Sequence, residues 1–314
     1  MKTEEIKSTV IKYAENTSVK EAVLLFEGIV SRNTVYKWMR EHKNQKLNYA
    51  YTLDQCKREV YNFKKRQPSY DALPCSNRIV HTFQPHFFHK EKELWNNKAI
   101  QKRLVENRRK YLEKDTFTDR EILRGFKISG IHMGYSHFSP LWFTKFIKDN
   151  DIKSVYDPCG GWGHRLIGAY LGDINYIYND FWDLTYSGCE KIKDLLNYTN
   201  CTLYNNDCTQ FTPAESYECV FTCPPYGNIE IYNDTPIPDY DLFLEKMLKC
   251  CIKDSVRLIG VVINKEYSKN VITSIPSNFK LTEQHALGTS GHISHLNKDN
   301  SMKQEILCVF TKSS

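Results

Sequence analysis

Asp157-Pro158-Cys159-Gly160-Gly161-Trp162-Gly163-His164-Arg165 is the stretch on which the reading of this chain turns. It follows a short apolar run ending at Asp157 and leads into a segment carrying Leu166, Ile167 and Ala169 on one helical face. A strand, a glycine turn and a helix in that order open an α/β sheet and let the backbone approach a nucleotide-like ligand without Cβ clashes. Short apolar runs recur downstream at residues 176–180, 202–205, 217–222 and 256–263, separated by helix-length segments. Such alternation predicts a mostly parallel sheet. The last two runs, 281–287 and 305–311, have no clear helical pattern between them and are expected to form an antiparallel pair.

A second stretch, Thr222-Cys223-Pro224-Pro225-Tyr226-Gly227, follows the fourth strand. With the glycine turn ahead of it, this part of the chain resembles the S-adenosylmethionine-dependent amino-methyltransferases. That family places a D/N/S-P-P-Y/F motif after its fourth strand and methylates the exocyclic nitrogen of adenine or cytosine. The resemblance covers residues 130–314. It implies a Rossmann-like seven-stranded methyltransferase sheet and S-adenosylmethionine as cofactor. On that resemblance Asp157, Pro158, Gly160, Gly161 and Gly163 form the cofactor loop, with Asp157 facing the methionine amino group. Asp180 ends the second strand about 20 residues on, where an acidic residue binds ribose hydroxyls. Phe181 would cover an adenine face, Asp207 would meet the adenine amino group, and Cys208 would touch the ring. The segment 135–140 would close over the methionine carboxylate.

An exocyclic amine on a base is a poor nucleophile because its lone pair is delocalised into the ring. Catalysis needs acceptors that draw the lone pair out, and alignment with the methyl donor. A Pro-Pro turn fixes a main-chain carbonyl toward the amine, and the aromatic after it stacks on a base rotated out of its duplex. The expected catalytic residues are Cys223, Pro224, Pro225 and Tyr226. Cys223 departs from the family, whose acceptor is Asp, Asn or Ser, since thiol sulfur accepts weakly. Three readings follow: Cys223 replaces Ser while the backbone carbonyl does most of the work, Thr222 assists, or the domain has lost activity. A nucleophilic cysteine of the carbon-5 type fits poorly, because those enzymes have Pro-Cys rather than Cys-Pro-Pro.

Composition, 41% hydrophobic and 25% charged over 314 residues, is that of a globular protein with a large and a smaller domain. Eleven cysteines with no C-x-x-C pair argue for reduced, structural thiols, and no metal site is expected. The net charge of +6 is uneven: residues 1–150 hold 29 basic and 17 acidic side chains, the remainder 14 and 20. A basic front half with interleaved aromatics points to a polyanion partner. Residues 1–45 have the pattern of a helix-turn-helix, with Gly28 in the turn and Ser31 capping a helix that resembles transposase-like and resolvase-like recognition helices. There Arg32, Asn33, Thr34 and Lys37 would meet double-stranded DNA. Residues 46–129 read as a basic linker region, partly helical (90–125) and partly irregular, that includes Lys64-Lys65-Arg66, and residues 130–314 as the methyltransferase domain. The segment 288–303 is expected to be a substrate loop. The charged N-terminus has no signal-peptide pattern, so a cytoplasmic location is expected, or a nuclear or viral-factory one in a host that has such compartments. An RNA or protein-glutamine acceptor, or a DNA-binding regulator with an inactive enzyme domain, are the alternatives.

Overall fold

In a computed structural model of the chain, residues 3–36, 38, 50–72, 78–131, 138–225, 237, 239–265, 268–287 and 305–313 are described. The chain divides into two compact units, one of residues 1–49 and 88–134 and the other of residues 50–87 and 135–314.

The larger unit holds a seven-stranded sheet: β1 (Ser154–Asp157), β2 (Asn175–Asn179), β3 (Cys201–Tyr204), β4 (Cys219–Thr222), β5 (Leu258–Asn264), β6 (Phe279–Ala286) and β7 (Glu305–Lys312). Its order is β3-β2-β1-β4-β5-β7-β6. The first five strands are parallel, while β7 lies antiparallel to both β5 and β6. This is the Rossmann-like methyltransferase fold, antiparallel final pair included.

Alternation along the strands separates two faces. Tyr156, Ile177, Val220, Ile259 and Val261 join a buried cluster with Leu244, Met247, Leu248 and Cys251 of the helix Tyr240–Cys251. Phe221, one residue on, points the other way and meets Phe143 and Phe146 at ring-centroid distances of 4.5 and 4.7 Å. Those two rings belong to the helix Pro140–Asp149, which starts on a favourable N-terminal proline. Gly260 makes room for this contact, because a Cβ there would lie 2.5 Å from the Phe221 ring.

Helices in chain order are α1 (Thr3–Asn16), α2 (Val19–Leu25), α3 (Leu53–Lys64), α4 (Arg78–Phe83), α5 (His89–Trp95), α6 (Lys98–Leu112), α7 (Asp119–Ile128), α8 (Pro140–Asp149), α9 (His164–Gly172), α10 (Asp183–Leu196), α11 (Tyr240–Cys251) and α12 (Ser268–Ser274). Residues 46–129 carry the helices α3 to α7, which are divided between the two units. Thr52 and Gln55 form a reciprocal capping box at the start of α3, and Cys56, Val60 and Phe63 bury one stripe of it. High polarity on the exposed face hides that stripe from a compositional reading. Beyond α4, the buried Gln84 donates from Nε2 to the Thr185 carbonyl at 3.0 Å. Gly188 of α10 admits it, since a Cβ there would meet the Gln84 amide at 2.2 Å.

In the smaller unit, Val10, Ala14, Ala22 and Val35 form a buried cluster with Phe26, Val30 and Trp38 against it. Ser18 caps α2 through the Glu21 N–H, and Gly28 turns the chain at φ +84°. Ser31 accepts from the Thr34 N–H at 3.1 Å and starts a helix over residues 32–36. Among the described residues, no helix is long and apolar enough to cross a membrane.

Gly188→Ala is expected to lower stability by about 1–3 kcal/mol through overpacking against Gln84. Urea denaturation followed by fluorescence measures it, and an unchanged midpoint would contradict the packing described.

Candidate active site

Sheet order reverses at β1, which has β2 on one side and β4 on the other. In open α/β sheets, ligands settle beyond the carboxyl ends of the strands at such a point. A cleft lies there, and both quoted stretches reach it: Gly160, Gly161, Asp180, Asp207, Cys223 and Pro225 all line it.

The glycine loop carries the cleft's first wall. Tyr178 of β2 packs its ring where a Gly160 side chain would stand, 2.0 Å from an ideal Cβ. The same tyrosine donates its hydroxyl to the Gly161 carbonyl at 2.8 Å. Gly161 adopts φ +61°, and a Cβ there would meet no heavy atom closer than 4.0 Å. The loop thus presents bare backbone to an open space, as close approach of a ligand requires. Pro158 and Cys159 also border the cleft.

Asp180 follows β2 and accepts from the Gly161 N–H at 2.8 Å and the Trp182 N–H at 2.9 Å. Burial raises its carboxyl to about 6, against the lowering effect of those two donors. The unfolded chain would ionise this group near its ordinary value of about 4. Between those values the folded state holds more protons, so this group's contribution to stability falls as pH rises from about 4 to 6. Phe181, 58% exposed, borders the cleft beside it. After β3, Asp207 takes hydrogen bonds from the Thr209 N–H and hydroxyl and from Gln210. Cys208 is buried with its sulfur 3.7 Å from that of Cys159, and Cys159 lies 3.7 Å from the Met247 sulfur.

Three expected residues sit elsewhere. Asp157 is fully buried and does not line the cleft. Arg165 Nε donates to its Oδ2 at 2.6 Å, and the Tyr176 hydroxyl donates to the same oxygen at 2.6 Å. Its acceptor capacity is spent inside the protein rather than on a ligand amine. Gly163 faces α10, where a Cβ would meet Ile192 at 2.8 Å, so its constraint is helix packing at φ +93°. Pro224 is buried behind the cleft, which its neighbours Cys223 and Pro225 line. Thr222 is fully buried, with no partner for its hydroxyl among the described residues. Tyr226, Lys37 and the segments 132–137 and 288–303 lie outside the described residues. In the smaller unit Arg32 and Asn33 are exposed, and Thr34 is half-buried with its hydroxyl 2.8 Å from that of Ser31.

Arg165 is the residue that sequence reasoning passed over. It lines the cleft, pairs with Asp157 and also donates to the Cys159 carbonyl, tying the strand end to the loop. Its place in the first turn of α9, eight residues past Asp157, was the available signal. Trp162 and Trp182 add an aromatic wall, with centroids 5.9 Å apart. His86 rests between them, 5.1 and 4.6 Å from the two rings, and bonds the Thr185 hydroxyl. Phe243 and Glu305 reach the cleft from α11 and β7, and nothing local in sequence marks them. Among the described residues there is no group of three His, Cys, Asp or Glu that would hold a metal ion.

No protein family and no curated protein matches the chain. Solved structures similar to it include TrmN from Thermus thermophilus, at 12% identity and a TM-score of 0.42, covering 61% of this chain. That match spans about half, 53%, of the Thermus protein's own length. An S-adenosylmethionine-dependent methyltransferase from Clostridium acetobutylicum matches at 9% identity and a TM-score of 0.39, covering 54% of this chain and 89% of its own. The ribosomal protein L11 methylase from Lactobacillus delbrueckii subsp. bulgaricus matches at 11% and 0.41, covering 57% and 81%. At these identities the likeness concerns the fold alone.

Arg165→Met should destabilise the larger unit by about 3–5 kcal/mol, because it leaves the Asp157 charge buried and unpaired. Adding Asp157→Asn should recover part of that loss in chemical denaturation. Purely additive losses would count against the pairing as the origin of the effect.

Proposed function

We propose that this protein is an S-adenosylmethionine-dependent methyltransferase that modifies the exocyclic amino group of adenine (N6) or cytosine (N4) in DNA. The observation that carries the reading is the shared cleft: the glycine loop, Asp180 and Asp207 line the same space as Cys223 and Pro225. When bound, S-adenosylmethionine supplies an electrophilic methyl group on sulfur.

The residues present fit that cofactor. Gly161 offers unobstructed backbone, and Gly160 makes room for the Tyr178 ring beside it. Asp180, once ionised, keeps acceptor capacity beyond its two N–H bonds and would hold a ribose diol. Phe181 would lie over an adenine ring, with Asp207 and Cys208 toward the ring's other edges. On the acceptor side the buried, rigid Pro224 holds the turn between Cys223 and Pro225. In this proposal its carbonyl accepts the hydrogen bond from the target amine and restores lone-pair density to nitrogen. Tyr226 then stacks on a base flipped from the duplex. Cys223 stands where a stronger acceptor is usual, so the main chain carries most of this polarisation.

DNA is favoured as the acceptor by the charge of the smaller unit, which holds 21 Lys and Arg against 13 Asp and Glu. The larger unit, with 22 against 24, is nearly neutral. Arg32 and Asn33, exposed at the start of the helix over 32–36, are placed in this proposal against the major groove, with Thr34 and Lys37 beside them.

Radiolabelled methyl transfer to DNA, RNA and protein, followed by nucleoside mass spectrometry, tests the reading. Label is expected in N6-methyladenine or N4-methylcytosine of DNA, and label only in RNA or protein would overturn the substrate. Tyr226→Ala should remove most turnover while calorimetric cofactor affinity stays within about twofold, and equal loss of both would make Tyr226 a packing residue. Cofactor affinity should fall as pH drops through about 6, where Asp180 takes up a proton. A flat calorimetric profile from pH 5 to 8 would remove Asp180 from the ribose site.

A further inference from the structure

A second groove lies on the larger unit, at the far end of α9 from the cofactor cleft. The cleft is lined by Gly161, Trp162, His164 and Arg165 around the start of that helix, the groove by Tyr170, Leu171 and Asp173 at its end. Lys64 and Arg66 border it from the end of α3, and Lys148 from the last turn of α8. Asp173 is the single carboxylate in its lining. All three cations are exposed.

Two features give this groove chemical character. Cations in the last turn of a helix complement its dipole, which accounts for Lys64 and Lys148 one at a time. It does not account for two such ends and Arg66 converging on one depression, in a unit whose acidic residues outnumber its basic ones. Lys64 is also laid over a ring of the groove, and its neighbour Lys65, outside the lining, over another. Lys64 Nζ lies 4.6 Å from the Tyr170 centroid and donates to its hydroxyl at 2.9 Å. Lys65 Nζ lies 4.0 Å over Tyr61, itself 56% exposed. Rings beneath lysines hold the ammonium groups in place at modest cost. A row of positioned cations beside exposed aromatics is the chemistry that tracks a phosphodiester backbone.

We infer that this groove, through Lys64, Arg66 and Lys148, binds the phosphate backbone of the DNA substrate. The inference rests on the nucleic-acid reading above and extends it to a surface of the catalytic unit. Backbone contacts of this kind position a duplex and carry no sequence information. They let a unit without net positive charge hold DNA near its cleft.

The test compares two triple variants of the full chain with equal change in charge. One is Lys64→Gln, Arg66→Gln and Lys148→Gln; the other is Lys191→Gln, Lys249→Gln and Lys280→Gln, three exposed lysines outside the groove. Binding to a fluorescent 30-base-pair duplex and to an RNA hairpin is measured by anisotropy from about 50 to 300 mM NaCl. The groove variant is expected to lose roughly 10- to 50-fold in DNA affinity, with the slope of log K against log salt smaller by about 2–3. The control triple should change affinity less than about threefold. Equal losses in the two triples would overturn the groove while leaving the DNA reading in place. A wild-type chain that binds only the RNA, or neither nucleic acid, would overturn both. Calorimetric binding of S-adenosylmethionine, unchanged in both triples, shows that any loss belongs to the groove rather than to the cofactor site.

Discussion

The ion pair between Arg165 and Asp157 is the constraint on which the site depends. Two charges with side chains 6% and 0% exposed are held 2.6 Å apart, with the Tyr176 hydroxyl on the same carboxylate oxygen. Desolvating both ions is costly, and their attraction offsets this only because the geometry is close and further donors are present. What the arrangement secures is position. Asp157 ends β1, Arg165 begins α9, Tyr176 lies on β2, and the Cys159 carbonyl between them receives another Arg165 N–H. The turn is therefore clamped between strand and helix by Arg165, while the Gly161 backbone stays open to the cleft. A loop that must stay bare toward a ligand cannot be stiffened by its own side chains, so stiffness comes from beneath.

Around that clamp, each wall of the cleft is set by a different packing requirement. Tyr178 fills the volume that Gly160 vacates. Asp180 is held by backbone N–H groups of the glycine loop and of its own turn, in surroundings dry enough to make its charge costly. Cys159 and Cys208 line the cleft with their sulfur atoms 3.7 Å apart, and the polarizable sulfur of buried Met247 packs behind Cys159. At the end of β4, two prolines remove backbone freedom beside Cys223, where the chain meets the cleft.

Much of this was legible in the chain. All seven strands lie within two residues of the runs that predicted them, the five parallel ones because buried parallel strands are short and nearly continuous in hydrophobicity. The antiparallel pair followed from the missing helical pattern before residue 305. The cleft's loops were also readable, since glycine and proline act locally. What local reading missed has a common cause. Asp157 ends its strand as a ligand-binding acid would, and only the position of Tyr176 on the neighbouring strand reveals that its lone pairs are spent. Gly163 looks like part of a ligand loop until Ile192 of α10 appears opposite it. Residues 50–87 carry polar surfaces that conceal the stripe of Cys56, Val60 and Phe63, so their membership of the larger unit depends on partners 70 or more residues away.

The placement of β7 bears on how such a sheet is made. It is the last of the seven strands to be synthesised, yet it occupies an interior slot between β5 and β6. Until it emerges from the ribosome, β5 has an open edge, and β6, which pairs only with β7, has no hydrogen-bonding neighbour at all. The nascent chain thus carries an unfilled gap in its sheet until β7 has been made, and closing that gap is the step that joins the two sides of the sheet into one.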